Sequence, residues 1–172
     1  MEPSSQSRVS IFKHRKYLKL FTVAGLVMII DQITKAMVLK TLPLYTSVSV
    51  ISGFFSLTHI QNPGVAFGFM ANQNSSLYKT VLLLITATAV CALFYLYQKI
   101  PRSHPLLATG FALVLGGAIG NLIDRIRFGK VVDFLDFYIE NLHWPAFNVA
   151  DSAITVGMSI ILIHLLFKKM PE

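Results

Sequence analysis

NLIDRIRFGKVVDFLDFYIENLHWPAFNVAD, residues 121–151, is the stretch from which the rest of the chain can be read. Of the protein's eight acidic side chains, Asp124, Asp133, Asp136, Glu140 and Asp151 fall here, Glu2 and Glu172 lie near the ends, and Asp31 stands alone. Long apolar runs flank the stretch on both sides. A carboxylate beside hydrocarbon is costly, so an acidic cluster in this position is first of all a hypothesis about function.

The surrounding composition supports the membrane setting. At 172 residues, 54% hydrophobic and 13% charged, with a mean hydropathy of +0.62, the chain is too apolar for an ordinary soluble domain of its length. The net charge of +7 does not indicate nucleic acid, because the basic residues gather at the ends of apolar runs and no interleaved basic and aromatic surface is present. The single cysteine, Cys91, lies inside an apolar run, where a thiol is expected as a small packing residue, and it excludes both a disulfide and a cysteine-based zinc site.

Four spanning helices are predicted, at about 18–38, 77–97, 106–123 and 149–167, since about 20 apolar residues cross a hydrocarbon core roughly 30 Å thick. Residues 1–16 are a basic tail expected to lack fixed structure. Arg8, Lys13, Arg15, Lys16, Lys19, Lys99, Arg102, Lys168 and Lys169 flank one side in short segments, which predicts cytoplasmic termini and extracytoplasmic segments at 41–72 and 125–147. No internal repeat or linker divides the chain, so a single domain is expected.

Individual residues refine this picture. Asp31 and Lys35, spaced i, i+4, should meet on one helix face and neutralise each other, with Gln32 and Thr34 turning that face toward protein. The mixture TSVSVISGFFSLTHI, bounded by Pro43 and by Asn62-Pro63-Gly64, reads as a β-ribbon on the outer surface, because isolated strands cannot cross lipid. Phe54, Phe55, Phe67 and Phe69 are expected to face lipid or a ligand, and Asn62 is either a turn former or a group that binds a peptide backbone. Gly116, Gly117 and Gly120 predict close helix packing, with Gly117, Asn121 and Asp124 on one face. Asp124 and Arg125 read as a charge network at the helix end. Asn148 is an N-cap candidate, which puts Asp151 at the third helical position, where N–H groups and the helix dipole favour a carboxylate. Asp133 is expected on a loop among Val131, Val132 and Phe134, and Trp144 and Phe147 suit the membrane interface.

DQITK at 31–35, QNPGVAFGF at 61–69, GNLIDRI at 120–126, VVDF at 131–134 and FNVADS at 147–152, in this order and topology, closely resemble the bacterial lipoprotein signal peptidases, or signal peptidase II. The resemblance covers everything except the basic tail. It implies an all-α membrane protein, a four-helix bundle with a small extracytoplasmic β-ribbon and a loop carrying the active site. It further implies an aspartic endopeptidase of the inner membrane that cuts diacylglyceryl-modified prolipoproteins just before the lipid-modified cysteine. Asp133 and Asp151 would be the catalytic pair. Asn62, Asn121, Arg125 and Asn148 would bind substrate or support the dyad, and Asp31, Lys35 and Asp124 would support the fold. The expected partners are prolipoproteins and membrane lipids, not nucleic acid; the expected state is a monomer without cofactor or metal.

The physics is consistent with that chemistry. Two carboxylates about 3 Å apart cannot both ionise comfortably and share a proton, so that one activates water as a base while the other donates to the scissile carbonyl. Asp151 is the expected anion and Asp133 the expected acid. Three other readings remain open on the residues alone: a proton-coupled transporter, an assembly factor whose acids are only ion pairs, and a metal site of Asp133, Asp151 and His143.

Overall fold

The computed structural model describes residues 5–64 and 76–167. Its helices are α1 (Ser5–Thr41), α2 (Ser76–Lys99), α3 (Pro105–Phe128) and α4 (Val149–Phe167), and among the described residues all four are long and apolar enough to cross a membrane. Between them lie β1 (Ser47–Ile51), β2 (Phe55–Asn62), β3 (Val131–Ile139) and β4 (Leu142–His143), which form one antiparallel sheet in that spatial order. The expected ribbon is therefore larger than its first half suggests. β2 and β3 pair along their length, joining two segments that the sequence keeps far apart.

Helix α1 starts at Ser5, so the basic tail expected to lack fixed structure continues the first helix. Helix α3 runs past the predicted end at 123 and stops only where Gly129 adopts φ 68° and caps it, its N–H bonded to the Arg125 carbonyl at 2.9 Å. A left-handed C-terminal glycine is a common helix stop, and it places Asp124 and Arg125 on the last turns of the helix.

Helix α3 is the centre of the bundle and packs on α1, α2 and α4. In its apolar stretch 61% of residues are buried, against 6% in α2, which leaves α2 at the periphery. Cys91 is exposed on that outer helix and is not the packing residue its sequence context suggests. The glycines of α3 permit the contacts: a Cβ on Gly116 would stand 2.7 Å from the Ala24 carbonyl oxygen on α1, and one on Gly120 would stand 2.6 Å from Asp31 Oδ2. One core of Leu20, Tyr97, Leu107, Leu115 and Ile161 fills one end of the bundle, and a second, of Val38, Val132 and Phe134, joins α1 to the sheet at the other.

Candidate active site

Strand β3 delivers Asp133. Successive strand residues point to opposite faces, so Val132 and Phe134 enter the core against Val38 while Asp133 faces the other way. All four residues from Val131 to Phe134 are buried, with Asp133 only 2% exposed. The residue sits on a strand, not on the loop that its position between two spans suggested. The difference arises from β2, whose Ile60 lies opposite Asp133 and fixes it in a ladder.

A second pairing brings in Asp151. The Phe147 carbonyl accepts from the N–H groups of Phe134 and Leu135, and its own N–H donates to the Leu135 carbonyl. The chain entering α4 is thereby held along β3. Asn148 follows directly and is fully buried. As the N-cap of α4, its Oδ1 accepts from the Asp151 N–H at 2.9 Å, while Asp151 Oδ2 accepts from the Asn148 N–H at 3.2 Å. This reciprocal pair satisfies donors that a helix start otherwise leaves unbonded. The Asn148 side chain also donates to Asp133 Oδ1 at 2.7 Å and to the Val132 carbonyl at 3.2 Å. One asparagine thus touches both aspartates.

The remaining donors complete the arrangement. Asn62 Nδ2 donates to Asp133 Oδ2 at 2.9 Å, and its Oδ1 accepts from the Gly64 N–H at 2.8 Å. Asn62 thus closes the turn, as one of its two readings has it, while its amide group donates to a carboxylate and not to a peptide backbone. Asn121 Nδ2 donates to Asp151 Oδ1 at 2.8 Å. Burial pushes the Asp133 carboxyl up from its ordinary 3.8 to about 7; the Asp151 charge pushes the same way, and the bonds from Asn62 and Asn148 oppose it.

Beneath the pair lies a buried ionic cluster. Lys35 Nζ is 2.9 Å from both Asp31 Oδ2 and Asp124 Oδ2, and it also donates to Asn121 Oδ1 at 2.9 Å. The three charged side chains are at most 2% exposed. Asp31 Oδ1 accepts from the Ala150 N–H in the first turn of α4, and Asp124 Oδ2 accepts from the Val132 N–H on β3. Asp31 and Asp124 therefore tie α1 and α3 to the residues next to Asp151 and Asp133. The expected i, i+4 pair is present, but it is part of a larger network. Arg125 lies beside the turn at Gly64, donates weakly to the Asn121 carbonyl at 3.3 Å, and is within electrostatic reach of Asp151, Asp124 and Asp133.

Some features were invisible in the sequence. Gln32 donates to Asp124 Oδ1 at 2.9 Å and to the Gly120 carbonyl at 3.2 Å; its polarity on an apolar helix was the only signal, and it named no partner. His143 turns its Nδ1 to Asp136, 2.9 Å away on the neighbouring strand, so it does not join Asp133 and Asp151. Phe54 and Phe55 both pack on Phe137, while Phe67 and Phe69 lie outside the described residues.

Comparison with known proteins bears on this geometry. A family model described as Signal peptidase (SPase) II matches residues 23–167. The chain belongs to the signal peptidase II family. A protein named lipoprotein signal peptidase from Desulforapulum autotrophicum is 48% identical over 92% of this chain and 98% of its own length. Another of that name from Syntrophus aciditrophicus is 47% identical over 90% and 97%. Among solved structures, a bacterial membrane enzyme obtained by the in meso method at 2.3 Å resolution matches with a TM-score of 0.76 and 34% identity, covering 89% of this chain and 93% of that one. Signal peptidase II membership spans both the strand and the helix that bear the aspartates, since residues 23–167 include β3 and α4.

Proposed function

We propose that this protein is the peptidase that removes the signal peptide from diacylglyceryl-modified prolipoproteins, cutting before the lipid-modified cysteine, with Asp133 and Asp151 as its catalytic pair. The observation that carries the assignment is Asn148, which is buried between the two carboxyls and bonded to each residue. Asp133, whose carboxyl burial raises to about 7, donates in its protonated form to the scissile carbonyl oxygen; Asp151, facing N–H donors from Asn121 and Asn148, takes a proton from the attacking water. Asn62, Asn121 and Asn148 orient the pair, and Arg125 binds substrate near the turn at Gly64. Lys35, Asp31 and Asp124 tie α1 and α3 to the strand and the helix that carry the pair.

The protein is a multi-pass member of the bacterial inner membrane. Its basic flanks favour cytoplasmic termini and an extracytoplasmic sheet, where a scissile bond at the membrane surface meets the pair while the acyl chains remain in lipid. The chain acts as a single domain and as a monomer, with lipid as its surroundings.

The test is cleavage of a diacylated lipobox peptide by the purified protein in detergent, with products identified by mass. The wild type should release the peptide immediately before the modified cysteine, and folded Asp133→Asn and Asp151→Asn proteins should not. Substantial cleavage by either folded variant would remove the aspartate pair from the mechanism.

A further inference from the structure

Strand β2 carries one residue more than β3 across the middle of their ladder. Leu57 lies opposite Leu135 and Ile60 opposite Asp133, so that Thr58 and His59 together oppose Phe134. A bulge of this kind sets register, because shifting a strand by one residue turns every side chain to the other face. With the bulge in place Asn62 lies opposite Val131 and its amide reaches Asp133; without the extra residue Gln61 would take that position. His59 holds the bulge. It is buried, and three hydrogen bonds tie it to the connection between α1 and β1. Its N–H donates to the Thr46 carbonyl at 3.0 Å, and its carbonyl accepts from the Tyr45 N–H at 2.8 Å. Its ring Nδ1 lies 2.8 Å from the carbonyl of Leu42, the residue after α1; a carbonyl only accepts, so Nδ1 carries the proton. Nε2 is buried with no partner among the described residues, which favours the neutral ring. Tyr45 takes φ 62°, a conformation that residues other than glycine rarely adopt and that neighbouring bonds must hold.

We propose that His59 is a positioning residue for peptide cleavage, fixing through its bulge the register in which Asn62 reaches Asp133; this role rests on the proposed function of the site. The His59 ring is bonded to the end of α1 and has no bond to either aspartate, so it acts only through the strand. The bond from Asn62 pulls the Asp133 carboxyl down, against the burial that raises it to about 7. The other charges facing Asp133 come from other elements: Asp151 on α4 raises it, Lys35 on α1 lowers it, and Arg125 on α3 is within electrostatic reach. Loosening the bulge therefore removes the Asn62 contribution alone. The carboxyl then moves further up, and one of its oxygens loses the donor that orients it.

The experiment compares two full-length variants, His59→Phe, which keeps a ring and loses the donor, and His59→Asn, whose amide N–H stands where Nδ1 does. Thermal unfolding in detergent and cleavage of the diacylated lipobox peptide are both followed from acid to alkaline pH. Wild-type stability should fall with rising pH until the folded Asp133 carboxyl has ionised, at about 7. In His59→Phe the fall should continue about one pH unit higher, and the alkaline limb of cleavage should move with it while kcat drops about tenfold at unchanged KM, the worth of one hydrogen bond to a charged group. His59→Asn should restore the wild-type profiles. Asn62→Ala should shift them as His59→Phe does, and the two together should shift them no further, because both remove the same bond. If His59→Phe does not fold, His59→Gln, which displaces the donor by one bond, decides, with the same shift expected. A loss of Tm equal at every pH with the alkaline limb unmoved, His59→Asn behaving as His59→Phe, or additive shifts from His59→Phe and Asn62→Ala would each overturn the inference. Absence of cleavage by the wild type would count against the proposed function, and the stability profiles would still decide the role of His59.

Discussion

Replacing Asp133 by asparagine should make the protein more stable at alkaline pH while abolishing its turnover. In the folded chain burial raises this carboxyl from 3.8 to about 7, whereas in the unfolded chain it titrates near its ordinary value. Between those limits the folded state binds more protons than the unfolded state, so stability falls as pH rises. The loss begins near pH 4 and is complete above about 7, and a rise of this size corresponds to about 4 kcal/mol. Asparagine does not titrate, but it brings a cost of its own. Both Asp133 oxygens accept amide N–H bonds, from Asn62 and Asn148, and the side-chain amide introduced by Asp133→Asn would turn its NH₂ against one of them. Leaving one buried donor unsatisfied costs about 1–3 kcal/mol. Asp133→Asn should therefore be less stable than wild type at pH 4 and more stable by about 1–3 kcal/mol at pH 8. Thermal unfolding in detergent at several pH values measures the crossover, with exposed Glu140→Gln as the control. A difference between wild type and Asp133→Asn that stays constant from pH 4 to 8 would refute the claim that burial holds a proton on Asp133.

Peptide cleavage should fall as pH climbs through about 7 and Asp133 loses its proton; a rate still rising well above pH 8 would assign the acid elsewhere. The double variant Asp133→Asn with Asp151→Asn should be scarcely slower than either single variant, because groups acting as a unit are strongly non-additive; additive losses in single-turnover rates would show that they act separately. Lys35→Met strands Asp31 and Asp124 as buried, unpaired carboxylates and should cost about 3–5 kcal/mol, read as a large fall in Tm, whereas an unchanged Tm would mean that the cluster does not hold the helices. Cys91→Ala should retain full cleavage, because the thiol is exposed on α2 away from the aspartates; loss of turnover in a folded variant would reopen the question of the nucleophile.

The parts that were legible in the sequence share a physical reason. Spanning helices announce themselves by local composition, and Asn148 as an N-cap with Asp151 three residues on is a local pattern that fixes its own hydrogen bonds. The Asp31–Lys35 pair is likewise set by helix periodicity. Long-range pairing was not legible. VVDF has the β-branched and aromatic character of a strand, but only the ladder with β2, a segment far earlier in the chain, buries Asp133 and separates a strand from a loop. For the same reason Lys35 could be assigned to Asp31 and not to Asp124 or Asn121, and Gln32 could be called polar but given no partner. Exposure of Cys91 depends on α2 lying at the edge of the bundle, and apolar composition all round a helix does not say which face meets lipid.

Charge accounting across the network agrees with a proton on Asp133. Four carboxyls, of Asp31, Asp124, Asp133 and Asp151, face two cations, Lys35 and Arg125. If all four were ionised, two negative charges would remain uncompensated in a largely buried site, which is strongly unfavourable. Asp31 and Asp124 each lie 2.9 Å from the Lys35 ammonium and accept the Ala150 and Val132 N–H groups. Asp151 accepts two N–H bonds at the start of α4, where the helix dipole favours an anion. Asp133 has only neutral amide donors and is deeply buried, and burial raises its carboxyl to about 7. The lysine that secures the fold therefore also bears on the pair: Lys35 lies 2.9 Å from Asp31 and Asp124 and directs its charge at those two carboxyls, while both hydrogen bonds to the buried Asp133 come from neutral amides.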